Sequence, residues 1–273
     1  MNKAFSLFAW GSSSFNVEVL KKQKLFLPIT TNGEIDFSFM DSFIAELETE
    51  RTAELEAYLK VAGLDNYELT TDELQFLKQD FSNITWGDYL IGDLFDRVKT
   101  KKLPYKAKDL PSESIDSYNL PCLTSSFNNQ GLNYYCPKTG ATILKHLISI
   151  PSNSDVYRAY YQPSEFTVLS DAYAISWKDK HKIITGNQYL FMVMCINKVT
   201  NLPIYSYKNK LGGWNVVKNK HILLPLTANG EINFEIMDKI IQALKKLVIK
   251  DVVLYADNKI NATKKVINNK TIP

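Results

Sequence analysis

Two kinds of apolar spacing alternate along this chain. Over residues 36–62, Met40, Phe43, Ile44, Leu47, Leu55, Tyr58, Leu59 and Ala62 recur every three to four positions, which predicts an amphipathic helix. Asp36 or Ser38 is suited to cap its start and Gly63 to close its end. From Phe234 the pattern returns as Met237, Ile240, Ile241, Leu244, Leu247, Val248, Val252 and Tyr255, with no Gly or Pro before Pro273. Residues 69–81 predict a short amphipathic lead-in helix. After Trp86 the spacing changes to short apolar runs between polar breaks, at 120–124, 132–135, 146–150, 157–161, 166–168, 172–177, 204–207 and 222–224. These predict strands, and 188–196 predicts a buried helix. A strand-rich middle with helices at its edges is an α+β fold.

The two long helices begin alike. Residues 27–40, LPITTNGEIDFSFM, are written again at 224–237 as LPLTANGEINFEIM, with further matches upstream at Val19/Val216 and Lys21/Lys218. Each copy is a β-rich run ending in Pro, a Thr-x-Asn-Gly turn suited to positive φ, and a helix. The repeat divides the chain into a closing segment of a preceding domain at 1–28, a first helix at 29–65, a domain at 66–225 and a second helix at 226–273. The first helix is acidic (Asp41, Glu46, Glu48, Glu50, Glu54, Glu56) and the second basic (Lys239, Lys245, Lys246, Lys250, Lys259, Lys264, Lys265). Charge alone would equally suit two solvated faces. The apolar seams carry the expectation that the helices pair as a coiled coil.

Composition narrows the function classes. With 273 residues and 45% hydrophobic content the chain can bury a full core. A net charge of +3 means that any polyanion site must be a local patch. Cys122, Cys136 and Cys195 are scattered without metal-ligand spacing, which fits a reducing, cytoplasmic setting. The short apolar AFSLFAW stretch near the N-terminus reads as a strand rather than a signal segment, and no run reaches membrane-spanning length. His146, His181 and His221 lie outside any HExxH or G-x-S-x-G pattern. No P-loop, Gly-rich cofactor loop or Asn-Pro-Pro-Tyr run is present. No catalytic residue, metal site or cofactor is therefore expected.

The middle runs carry a family resemblance. LTSSFNNQGLNYY at 123–135, ISIPSNSDVYRAYYQPSEFTVLSDAYAI at 148–175 and IYSYKNKLGGWNVVKNKHILLP at 204–225 resemble the target-recognition domain of type I restriction–modification specificity subunits. ITWGDYLIGDLFDRV at 84–98 is similar to the start of such a domain, and the helix after each Leu-Pro copy is similar to that family's spacer helices. The resemblance implies a non-catalytic subunit that reads double-stranded DNA at one half of a bipartite site. It also implies two spacer helices packed antiparallel, with methyltransferase and restriction subunits as partners. A single recognition domain beside two helices further suggests a homodimer. The alternatives are the severed recognition end of a fused nuclease–methyltransferase, or an assembly protein that no longer reads DNA.

DNA reading needs cations for phosphates and amide or hydroxyl groups for base edges, and four stretches supply them. Lys99, Lys101, Lys102, Lys106 and Lys108 cluster around Tyr105; a solvated basic loop would show the same residues. Ser125, Ser126, Asn128, Asn129, Gln130 and Asn133 form a polar loop that ordinary turn chemistry would also explain. Ser152, Asn153, Ser154, Tyr157 and Arg158 form a third group; Arg158 is one of only three arginines, with Arg51 and Arg97. Lys208, Lys210, Lys218 and Lys220 flank Gly212-Gly213. The loops at 125–133 and 152–158 are the expected base readers, and the lysines the expected phosphate contacts.

Overall fold

A computed structural model describes residues 21, 24–78 and 81–270. The expectations for AFSLFAW and for the Val19 match lie outside the described residues. The chain forms two compact units, Glu68–Val248 on the one hand and Met1–Tyr67 with Ile249–Pro273 on the other.

In the larger unit, helices and short strands alternate: α2 (Thr71–Leu77), β1 (Trp86–Leu90), α3 (Ile91–Leu94), β2 (Phe95–Arg97), β3 (Tyr118–Leu123), β4 (Leu132–Pro137) and β5 (Leu147–Pro151). There follow β6 (Tyr160–Gln162), β7 (Thr167–Val168), β8 (Ala172–Trp177), α4 (Gly186–Thr200), α5 (Trp214–Val217), β9 (His221–Pro225) and the start of α6 (Phe234–Lys270). The strands form a β1-β9 pair, a sheet in the order β2-β8-β5-β6 and a sheet in the order β4-β3-β7. All pairings are antiparallel except β3 with β7. The mixture is α+β.

The core explains the order. Ile148, Ile150, Tyr173 and Ile175 from the central sheet, Met192 and Ile196 from α4, Leu224 from β9, and Met237 and Ile241 from α6 are buried together. The first turns of α6 thus belong to this unit. Thr185 caps α4 reciprocally with Gln188, its Oγ1 accepting from Gln188 N at 3.1 Å. Asp238 of α6 then accepts from Thr185 Oγ1 at 2.6 Å and from Gln188 Nε2 at 2.5 Å. This fixes the α4 N-terminus on α6.

Several sequence expectations shift. The lead-in helix is shorter, bounded by a Thr70–Glu73 capping box. The run at 204–207 is a turn, because Asn209 Nδ2 donates to Ile204 O at 2.8 Å and Ser206 N bonds Asn209 O at 3.0 Å. Those local bonds replace a strand ladder. Of the run at 157–161, only its end joins a strand, β6.

The smaller unit holds α1 (Phe37–Val61), capped by Asp36, whose side chain accepts from Phe39 N at 2.8 Å, and closed by Gly63 at φ 63°. Leu59 is buried with Val253 and Ala256, flanked by Leu55 and Ile249. Lys259 Nζ donates to Glu48 Oε2 at 2.9 Å. Earlier α1 residues thus meet later α6 residues, so the pairing is antiparallel. The seam on α6 is Ile249, Val253 and Ala256, one position away from the expected Val252 and Tyr255, which are exposed.

The two repeat copies share one backbone design. Thr30 N bonds Glu34 O at 2.8 Å and Thr227 N bonds Glu231 O at 2.8 Å; Ile29 bridges Ile35 as Leu226 bridges Ile232. The glycine of each Asn-Gly adopts positive φ, 81° at Gly33 and 80° at Gly230. Surroundings separate them. Ile222, Leu224, Met237 and Ile241 are 2%, 0%, 0% and 4% exposed, while of their counterparts Leu25, Leu27 and Ile44 are 49%, 43% and 52% exposed and Met40 is half-buried.

Candidate nucleic-acid interface

The polar loop after β3 is rigid where a short Asn-rich loop would ordinarily be mobile. Thr124 N bonds Gly131 O at 2.9 Å, closing the loop. Thr124 Oγ1 accepts from Ser126 N at 3.2 Å and from Asn133 Nδ2 at 3.1 Å, and Ser126 Oγ accepts from Asn128 N at 3.1 Å. Asn129, Gln130 and Gly131 then take positive φ in succession, 45°, 55° and 92°. Such backbone persists only where neighbours hold it. Here β6 does so: Tyr160 OH donates to Phe127 O at 3.1 Å and Gln162 Nε2 to Gln130 O at 3.2 Å. The side-chain amides of Asn128, Asn129 and Gln130 are exposed and bond no described residue.

The lysine segment is anchored by apolar residues rather than by charge. Leu103 and Leu110 are buried with Leu120, Cys122 and Cys136, and Lys101 N donates to Thr142 Oγ1 at 2.9 Å. Burial raises the thiol pKa values of Cys122 and Cys136, so they act as core groups. Lys99, Lys101, Lys102, Lys106 and Lys108 point to solvent, and none forms an ion pair with a described residue. Unpaired cations on an ordered segment are available to phosphates.

These two groups meet. A cleft of about 770 Å³ is lined by Lys102, Tyr105 and Lys106, by Thr124, Ser125, Asn133 and Tyr134, and by the turn carrying Leu169, Ser170 and Asp171. Tyr105 sits among the lysines as the sequence places it, while Tyr134, Ser170 and Asp171 were not singled out by sequence reasoning. The polar Ser-Asp pair between two β runs was the available signal.

The third and fourth groups form another patch. Tyr207 N donates to Asp155 Oδ1 at 2.7 Å, tying loop 152–158 to the loop bearing Lys208 and Lys210. Lys210 Nζ lies 4.5 Å from the centre of the Tyr207 ring. Ser152 is half-buried, and its N bonds Asp171 O at 2.8 Å, which links this patch to the cleft wall. Two expectations are corrected here. Tyr157 is 1% exposed and packs edge-on against Tyr205, and Ser154 is buried with its Oγ accepting from Val156 N at 3.2 Å. Both are structural, because a base cannot reach them. Asn153 is half-buried with its Oδ1 inside. Arg158 is exposed outside the cleft, and turning the Asn201 amide end for end lets its oxygen accept from Arg158 Nε at 3.2 Å and Nη2 at 3.3 Å. Lys220 donates to Tyr205 OH at 3.0 Å and so serves the scaffold, while the Lys218 backbone carbonyl accepts from Gly92 N at 2.8 Å.

Among the described residues, no group of three His, Cys, Asp or Glu side chains could hold a metal ion, and no helix is long and apolar enough to cross a membrane. Unpaired lysines around a cleft floored by hydroxyl and amide groups have the chemistry of a polyanion-recognition surface. The chain matches the family of the type I restriction modification DNA specificity domain over residues 2–57 and 83–255, and it belongs to that family. It is 21% identical over 249 residues to the specificity subunit S.BcgI of a type II restriction enzyme from Heyndrickxia coagulans, covering 91% of this chain and 65% of that protein. The chain thus spans less than two thirds of the length of that curated relative. Among solved structures, the S subunit of a type I restriction–modification system from M. genitalium aligns with 98% of this chain and 67% of its own, at 14% identity and a TM-score of 0.47. The HsdS subunit from Thermoanaerobacter tengcongensis aligns with 80% and 49%, at 12% identity and a TM-score of 0.39.

Proposed function

We propose that this chain reads one half of a bipartite site in double-stranded DNA and performs no chemistry itself. Its paired helices would position the recognition unit and dock onto methyltransferase and restriction subunits. The observation that carries this reading is the cleft at which Lys102 and Lys106, free of ion pairs, face Ser125 and Asn133. Free amides on the braced loop beside it, at Asn128, Asn129 and Gln130, match base-edge acceptors and donors. Lys99, Lys101, Lys208 and Lys210 would extend the phosphate track on either side. The named role of S.BcgI, a restriction enzyme's specificity subunit, supports the same assignment of labour.

The domain plan follows from the repeat. A recognition unit rests on the second Leu-Pro copy, and the first copy leaves Leu25, Leu27 and Ile44 at the matching positions exposed, which supports a second recognition unit or a second chain there. The test is a DNA titration of the full chain across salt concentrations, followed by mapping of methylated positions after a partner methyltransferase is added. Binding with a steep salt dependence and methylation at a split motif are expected. A chain that ignores duplex DNA at low salt sinks the reading.

A further inference from the structure

Among the described residues, Asp171 is the one carboxylate lining the lysine cleft, and it is unused. Its neighbours Lys102 and Lys106 make no ion pair with it, and no described residue donates to its side chain. Other acidic residues near the loops of this unit have internal work: Asp155 holds Tyr207 N, Asp109 accepts from Lys106 N, and Glu165 pairs with Lys138. Asp171 is also held still. Its turn is closed by Ala172 N to Leu169 O at 3.1 Å and pinned by Leu169 N to Leu123 O at 2.9 Å. Asp171 O itself accepts from Ser152 N at 2.8 Å. The side chain stands exposed on this fixed backbone.

A fixed anion in a phosphate-binding cleft weakens DNA binding by repulsion. It is favourable only where the DNA presents a hydrogen-bond donor. In the major groove the donors are cytosine N4 and adenine N6, and adenine sets its N7 acceptor beside the donor, against the second carboxylate oxygen. We infer that Asp171 reads the exocyclic amino group of a cytosine and so selects one base of the target. This rests on the DNA-reading role proposed above.

The chemistry of the amide gives a sharp test. Asn offers either a donor or an acceptor at the same place, so it can meet cytosine N4 or thymine O4. The full-length chain, Asp171→Asn and Asp171→Ala are each used to select from a randomised duplex library, with thermal melts run alongside. The wild-type motif should contain a column that prefers C over T by about 5- to 150-fold. In Asp171→Asn that preference should collapse while the other columns persist, and binding to random duplex should hold or tighten. A motif unchanged in every column in both variants overturns the assignment to Asp171 alone. Failure of both variants to fold overturns it too, by making Asp171 structural. A wild-type chain that enriches no motif overturns the DNA-reading proposal as well.

Discussion

Glu73 and Lys246 meet at 2.7 Å with both side chains 12% exposed, and the same Glu73 oxygen accepts from Thr70 N at 2.8 Å. One carboxylate thus caps α2 and ties it to α6 within the larger unit. The Lys246 ammonium, followed by the Thr70 backbone bond, holds the Glu73 carboxyl below its ordinary range. A depressed folded-state value means that the stabilisation is present above the unfolded carboxylate pKa and is lost as pH falls through the folded one. Glu73→Gln should cost roughly 1–3 kcal/mol near neutrality. Denaturant melts at a series of pH values should show that gap closing below the ordinary carboxylate range. A gap independent of pH would mean that the pair contributes shape and not charge.

Phosphate contact is tested at the lysine segment. Lys101 and Lys102 are exposed, unpaired with any described residue, and carried on a backbone pinned by Thr142. Replacing both by Ala should leave the melting temperature unchanged, weaken binding to all duplexes alike and reduce the log–log salt slope by up to ~2. A loss confined to one sequence would instead make them base readers.

What the sequence made legible was whatever local spacing governs. The two long helices, the Asp36 cap, the Gly63 stop and the repeat all appear in the structure because capping and periodicity act within a few residues. β1 and β2 escaped notice because Trp-Gly-Asp-Tyr-Leu and Phe-Asp-Arg have no apolar alternation; they are strands only through pairing with β9 and β8. The α6 seam slipped by one residue, since Met237 and Ile241 serve the core of the larger unit before Val253 and Ala256 serve α1. A helix with two successive partners has no single stripe. At the candidate site, Ser125 and Lys102 were named separately, but the turn that joins them at Asp171 is a tertiary fact. Tyr157 shows the converse error: a tyrosine beside a polar loop looked accessible and is core.

The brace on the polar loop should matter for discrimination more than for folding. Tyr160→Phe removes the hydroxyl that bonds Phe127 O and also meets Arg158, and Gln162 keeps its bond to Gln130 O. Stability should fall by no more than ~1.5 kcal/mol. With three consecutive positive-φ residues less firmly held, amide exchange in the loop should quicken and the preference for cognate over random duplex should shrink. Unchanged exchange and unchanged preference together would show that the loop holds itself.

The last expectation concerns assembly. Copy two of the repeat is covered: Leu224 and Met237 are fully buried, Ile241 nearly so, and Asp238 holds the α4 N-terminus. Copy one repeats those residues with less cover, Met40 half-buried and the others open. Leu27, Phe37, Phe43 and Ile44 are 43%, 66%, 52% and 52% exposed, and Phe39 stacks on Phe43 at 6.1 Å on the open face of α1. Monomeric proteins seldom leave contiguous apolar surface of this kind uncovered. Fully burying an exposed large apolar side chain is worth about 1.5–3 kcal/mol, and covering these residues offsets part of the entropic cost of association. If a second copy covers them, the interface is isologous and presents two equivalent recognition units to a symmetric split site. Light scattering over a concentration series should then show a dimer, and Phe43→Glu with Ile44→Glu should return it to a monomer without lowering the affinity of the recognition unit for a half-site. A wild-type chain that stays monomeric throughout, alone and with the methyltransferase, would leave those residues with no partner and defeat the assembly proposal.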